Sequence, residues 1–494
     1  MLVTGLFFLY FCANLSGAAV YDIFTGETLS DEQLSTYQDA NLTEICTVNI
    51  TSCDTEELRR VDGSCNNINR PAKGISLAPP IRIVLPVFDN GYKPRRAVSG
   101  NSLPVSRDIG QIILSGYKRN DCNFTQLMTS FGMFMFWDVG ALNNSRWYLG
   151  NNTLISYQEL GCTNDSTLTP VVDGTNVFDL SEIYNPGNNG DEEIRSYEEG
   201  ELLDIDDKNE TDSSLNDECE YRRYEHCCCY NIPNLPLRLM RIWFVKHHNY
   251  IAGNLACLNP CWNDERLFRE AREINIAFFL QTFLYEWLEL FEGREHLINV
   301  GILANNTGFR DIYDETKYPT VSLEFLYISS WFLSTLDTAY LMASSLDGGE
   351  DFVTSELDMG RTLGIAPYIH YVYYCTGRNI TNFNDLHDYM DTENVIKLMH
   401  HYENVADIEL LVGIWNEKVM KGGHLPPTQA CLMNDHILKT IQADRHWYER
   451  PNRPHAFTYG QLQEIRKASA ALLLCSVGEG VKEIQRNAFL NINS

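Results

Sequence analysis

KHHNYIAGNLACLNPCWNDERLFREAREINIAFFLQTFLYEWLELFEG, residues 246–293, is the stretch around which the chain is organised. It reads as two helical patterns hinged at Leu258-Asn259-Pro260-Cys261-Trp262. In the second pattern Leu267, Ala271, Ile274, Phe278, Phe283 and Trp287 recur near a 3.6-residue period, which buries one face for roughly eight turns. A helix this long and apolar belongs to a core.

Working outward, 494 residues and a hydrophobic content of 44% allow one large domain or two to three smaller ones, with enough apolar surface for a large core. Residues 1–19 hold the apolar run Leu6-Phe7-Phe8-Leu9-Tyr10-Phe11-Cys12-Ala13-Asn14 before small residues at Ser16-Gly17-Ala18-Ala19. That is the pattern of a signal peptide, and no later apolar run reaches the ~18 residues of a membrane span. Of the fifteen cysteines, Cys12 goes with the leader; the remaining fourteen, in an exported chain, favour disulfides over thiol chemistry. Sequons at Asn41, Asn49, Asn123, Asn143, Asn151, Asn164, Asn209, Asn305 and Asn379 agree, so a secreted, extracellular glycoprotein is expected. The net charge of -28 argues against nucleic acid and anionic lipid as partners. It is compatible with a solvated acidic surface, and with matrix components or a mineral surface as partners.

The hinge wording is specific. Lys246-His247-His248-Asn249, Leu258-Asn259-Pro260-Cys261-Trp262, Asp264-Glu265-Arg266-Leu267 and Glu270-Ala271-Arg272 resemble the REHNR-x-A…LNP-x-W-x-DERL-x-x-EARR pattern of the animal haem peroxidases, the peroxidase-cyclooxygenase type. The likeness runs from about residue 59 to 476. Arg59-Arg60-Val61-Asp62-Gly63-Ser64-Cys65-Asn66-Asn67 is similar to the family's entry motif, and Ser99-Gly100…Leu103-Pro104-Val105-Ser106-Arg107 to its S-G-x-x-L-P-S-x-R. The resemblance implies a mainly α-helical, single large domain with few short strands over residues 59–494, after an irregular arm at 20–58.

Residues 124–139 are apolar nearly all round, the mark of a buried helix. In the resembling family this helix carries a Gln and a His that act on peroxide and an Asp that esterifies the porphyrin. Aligned through Gly132 and Asp138, this chain has Met133 for the Gln, Phe136 for that Asp and Trp137 for the His. None of these can shuttle a proton. Asp138 keeps its type, and the resemblance makes it a calcium ligand together with the loop Thr175-Asn176-Val177-Phe178-Asp179-Leu180-Ser181. Asp138, Thr175, Val177, Asp179 and Ser181 offer the hard oxygens calcium takes, so calcium is the expected cofactor.

Residues 191–220 contain fourteen acidic residues against two basic ones and read as a solvated, mobile loop. Cys227-Cys228-Cys229 lacks the spaced pairs of a zinc site. Where the family delivers its catalytic Arg and a second haem-ester Glu, ungapped counting gives Tyr230 and Pro233. On the proximal side, residues 319–333 resemble the family's motif with Leu333 in the place of the iron-ligating His and Ser330 in that of the Arg. Ile369 stands for the Asn that orients the ligand. Leucine has no lone pair for iron. The resemblance also pairs Cys375 with Cys431 and leaves Cys475 without its usual partner.

The scaffold motifs persist while the haem-contacting positions have changed, which points to a haem-free, catalytically inactive component of an extracellular matrix, calcified, shell or cuticle. The alternatives are a haem-dependent peroxidase oxidising tyrosines or halides, with His370 as a replacement ligand, and an extracellular binding module for a protein or glycan. G-x-S-x-G, H-E-x-x-H and P-loop motifs are absent.

Overall fold

The computed structural model describes residues 18–91, 93–114, 122–140, 162, 169–172, 174–184, 194–203, 235–336 and 352–492. The chain enters through β1 (Ala19–Asp22), α1 (Asp31–Asp39), α2 (Thr43–Cys46) and β2 (Thr47–Ile50). β1 and β2 pair antiparallel, Ala19 opposite Ile50 and Asp22 opposite Thr47. The arm expected to be irregular is therefore ordered. Ser30 and Gln33 close a capping box at the start of α1, the Tyr37 hydroxyl donates to Asp22 Oδ2 at 2.5 Å, and Ile23, Ile50, Cys65 and Ile75 form a small second core. Two disulfides, Cys46–Cys162 and Cys53–Cys65, fix it from outside the local sequence. The bridge to Cys162 closes 116 positions, a tie of which the arm's own residues give no sign.

A short hairpin of two-residue strands, β3 (Phe88–Asp89) with β4 (Lys93–Pro94), leads into α3 (Ser106–Leu114) and α4 (Gln126–Gly140). After α5 (Ser181–Tyr184) the hinge segment folds as α6 (Leu235–Leu258) and α7 (Asp264–Thr282), which pack on each other. Asn263 caps α7 by accepting from Arg266 N at 3.0 Å. The pattern read as one regular helix contains a π-helical turn at Phe283–Trp287 before α8 (Leu288–Glu292). The five-residue step from Phe278 to Phe283 is its signature: one extra residue keeps both rings on the buried face. Trp287 then reaches across to donate its indole N–H to Met128 O at 2.8 Å.

The remaining helices are α9 (Arg294–Asn299), α10 (Leu323–Leu336), α11 (Phe352–Thr362), α12 (Tyr368–Thr376), α13 (Thr392–His401), α14 (Leu410–Asn416), α15 (Pro427–Ala443), α16 (Tyr459–Ile465) and α17 (Ala470–Val477). The fold is mainly α, as the resemblance implies, and no helix among the described residues is long and apolar enough to cross a membrane. α4 is the centre of the core, with Met128, Phe131, Met133, Phe134, Met135, Phe136 and Val139 all buried. Phe134 stacks on Phe244 of α6 with centroids 5.2 Å apart, and Phe279 of α7 meets both rings edge-on.

Polar groups enter this core at a cost. Glu356 on α11 is 1% exposed, and one of its carboxyl oxygens has no hydrogen-bond partner among the described residues. Burial pushes its carboxyl up to about 8. A carboxyl protonated in the folded state and ionised in the unfolded one costs stability as pH rises from the unfolded value near 4.3 to about 8. Glu356→Gln is therefore expected to unfold like the parent at pH 4 and to gain on it by roughly 1.4 kcal/mol per pH unit in that window. Parallel pH dependences of the two urea midpoints would refute it.

Candidate functional site

The end of α4 and the loop before α5 build a buried oxygen-rich cradle. Asp138, Thr175 and Asp179 are fully buried, and Val177 and Ser181 nearly so. Asp138 accepts from Leu180 N at 3.1 Å and Glu182 N at 3.3 Å, and its carbonyl accepts from Ser181 Oγ at 2.7 Å. Thr175 Oγ1 lies 2.5 Å from Asp179 Oδ1 and 3.3 Å from Val177 O. Gly174, at φ +81°, sits in the left-handed region against the cradle: a methyl group would fall a tight 3.0 Å from Asp138 O and 3.2 Å from Ser181 Oγ. All five residues expected to bind calcium thus share one cradle.

Charge balance singles out Asp138. Asp179 meets Arg272 Nη2 at 3.4 Å, Asp444 meets Arg59 Nη2 at 2.7 Å, and Glu273 meets Arg453 Nη1 at 3.1 Å. Arg272 also donates to Arg59 O at 2.9 Å, joining the cradle to the entry motif. Asp138 has backbone N–H donors but no cation among the described residues. Desolvation, with the facing Asp179, holds its carboxyl well above the usual range; Asp179 is raised too, by burial, against the pull of Arg272. A hard divalent ion fits this donor set and relieves both. Arg272 and Arg59 stand in the motifs quoted from the sequence, but the motif reading gives them no role; the signal for one was an arginine next to Ala271 on the buried side of α7.

The positions aligned with haem contacts have a different character. Met133 and Phe136 are buried, while Trp137 and Ile369 are partly buried against the same core. α4 packs directly on α10: a methyl group at Gly140 would fall 2.6 Å from Leu326 Cδ2 and 3.1 Å from the Phe136 ring. These side chains offer peroxide no acid-base group and a porphyrin no carboxylate, so they do not fit a family-type haem. Tyr230 and Pro233, and the side chains of Ser330 and Leu333, lie outside what is described. His370, weighed as a replacement ligand, is exposed, as are His400 and His401. His247 and His248 are committed elsewhere. His248 Nδ1 lies 2.9 Å from the Tyr184 hydroxyl and Nε2 2.9 Å from Gly200 O, and His247 Nδ1 is 2.7 Å from Asn275 Oδ1.

The acidic stretch at 191–220 is corrected in part. Residues 194–203 are docked, not free: Arg195 bonds Asp264 at 2.6 Å and Glu265 at 2.5 Å, and lies 4.2 Å from the Phe268 ring centroid. Leu202 and Asn249 exchange two hydrogen bonds. One arginine among carboxylates was the signal overlooked. The rest of that stretch, and Cys227-Cys228-Cys229, lie outside the described residues. Asn41, Asn49, Asn123, Asn305 and Asn379 are exposed, and Asn143, Asn151, Asn164 and Asn209 fall outside. Cys375 and Cys431 are joined across α12 and α15, and Cys475 is free and exposed. Cys53, Glu57 and Cys65 cluster closely, but a disulfide consumes both thiols.

Helices of this order around α4, with a buried carboxylate cradle at its end, define a protein of the helical peroxidase fold. The profile described as animal haem peroxidase matches residues 58–159, 149–339 and 328–489, and the chain belongs to that family. It is 23% identical to a Drosophila melanogaster "Peroxidase", over 89% of this chain and 80% of the relative. It is 24% identical to a Margaritifera margaritifera "Peroxidase-like protein", over 89% and 71%. Among solved structures, Peroxidase A from Dictyostelium discoideum superposes with a TM-score of 0.64 at 18% identity, over 88% of this chain and all of that one. A fatty acid alpha-dioxygenase from Oryza sativa does so at 0.55 and 14%, over 84% of each.

Proposed function

We propose that this chain is a secreted, calcium-held, haem-free member of its family that serves as a structural or interaction component of an extracellular matrix. The observation that carries the reading is the closed contact of α4 with α10, Phe136 and Leu326 crowding Gly140, with Met133 and Trp137 where peroxide chemistry needs a Gln and a His. Calcium would be held by Asp138, Asp179, Thr175 and Ser181 side chains and the carbonyls of Thr175 and Val177. Its charge would offset the buried acids and tie the end of α4 to the loop before α5. Exposed sequons and the three disulfides support export, and the net charge of -28 suits a cation-rich or mineral surface.

The second reading is a haem-dependent peroxidase, favoured by relatives named as peroxidases. One experiment separates the two. The protein is secreted from cells supplied with a haem precursor, and its absorbance, iron content and peroxide-dependent oxidation of tyrosine are measured. The expected result is folded protein with no Soret band and no turnover. A strong Soret band with about one iron per chain would establish the second reading instead.

A further inference from the structure

Away from the cradle, another buried acid lacks a counter-charge. Glu292 ends α8 with a fully buried side chain, and Gly293, at φ +79°, turns the chain into α9. That turn brings His296 Nε2 to 3.5 Å from Glu292 Oε2. From α15, the Asn434 amide nitrogen lies 2.6 Å from Glu292 Oε2 and 3.3 Å from His296 Nε2. Glu292 is 2% exposed and Asn434 6% exposed, yet Glu292 Oε1 and Asn434 Oδ1 have no hydrogen-bond partner among the described residues. The His296 side chain is 37% exposed and gives the group a path to solvent.

A buried carboxylate must be protonated, paired or metal-bound. The three separations decide which states are reachable. An ion with ligands at about 2.0–2.2 Å in a tetrahedral arrangement needs its donors roughly 3.3–3.6 Å apart. Two of the spacings, 3.3 and 3.5 Å, fall in that range, and the 2.6 Å hydrogen bond between Asn434 and Glu292 must open to reach it. The oxygen and nitrogen of an amide exchange places by a half-turn of the group. That half-turn puts Asn434 Oδ1 where Nδ2 stands and completes a set of carboxylate, amide oxygen and imidazole nitrogen.

We propose that Glu292, His296 and Asn434 form a binding site for a divalent transition metal of the zinc type, with water completing the coordination. Mixed nitrogen and oxygen donors separate it from the all-oxygen cradle at Asp138, which suits calcium. The competing state is a carboxylic acid: burial, partly offset by the Asn434 bond, pushes Glu292 up to about 8, and burial lowers His296. Metal entry at neutral pH would then release a proton from Glu292.

The test uses the full secreted protein, stripped of transition metals, kept in excess calcium and titrated with Co²⁺. The expected result is a saturable visible absorption band, release of a proton into weak buffer, and loss of the band on adding Zn²⁺. His296→Ala, at a partly exposed position, and the isosteric Glu292→Gln are each expected to weaken Co²⁺ binding by about 100-fold or more. No visible band in the parent protein, or parent-like binding in either folded variant, overturns the proposal.

Discussion

Phe136→Ala is expected to lower the free energy of unfolding by about 3–5 kcal/mol, the range for deleting a buried phenyl ring from a packed core. Phe136 is 2% exposed, and its ring and Leu326 close on Gly140 from two sides. An interior already hollowed for a flat cofactor would lose few contacts on this truncation, whereas a close-packed one cannot collapse around the gap. Urea unfolding of parent and variant measures the difference, with the slope checked for constancy. A loss under about 1 kcal/mol would mean that α4 and α10 do not form a filled interface. Gly140→Ala tests the same contact by overpacking, since its methyl would fall 2.6 Å from Leu326 Cδ2; a loss of about 1–3 kcal/mol is expected.

Removing calcium from the proposed site is expected to be the second large effect. An ion at a hundred times its dissociation constant stabilises by about 2.7 kcal/mol, and the unfolding midpoint should fall accordingly when it is dialysed away. The loss depends on pH. Without the ion, Asp138 holds its proton in the folded state at pH values where the unfolded chain has released it, so calcium-free protein weakens as pH rises above the ordinary carboxylate range. The gap between calcium-loaded and calcium-free melting temperatures is therefore expected to be small near pH 4 and wide at pH 8. Asp179→Ala should melt lower than the parent and no longer respond to calcium. Equal melting temperatures with and without calcium at pH 8 would remove the site.

The cradle was legible because its residues sit in two short motifs whose order survives in the chain, Asp138 at one helix end and the 175–181 loop. The main helices were legible for a similar reason: apolar spacing in residues 124–139 and 264–292 is local information. What escaped depends on distant partners. Nothing near Cys46 in the chain names Cys162, and Arg195, though it stands out among carboxylates, does not name Asp264 and Glu265 as its partners. The π-helical turn was visible as a five-residue step but was absorbed into an average period. Glu292 carries no mark in the sequence, since only the crossing of α15 shows that its side chain is buried beside Asn434.

The bridge from Cys46 to Cys162 spans 116 positions and encloses α3, α4 and the entry motif in one covalent ring. A single proteolytic cut anywhere inside that ring leaves one molecule of unchanged mass apart from a water. Such a nicked chain would run as one band without reductant and as two with it. A chain built this way can be trimmed by proteases within residues 47–161 without shedding the arm that its first strand anchors.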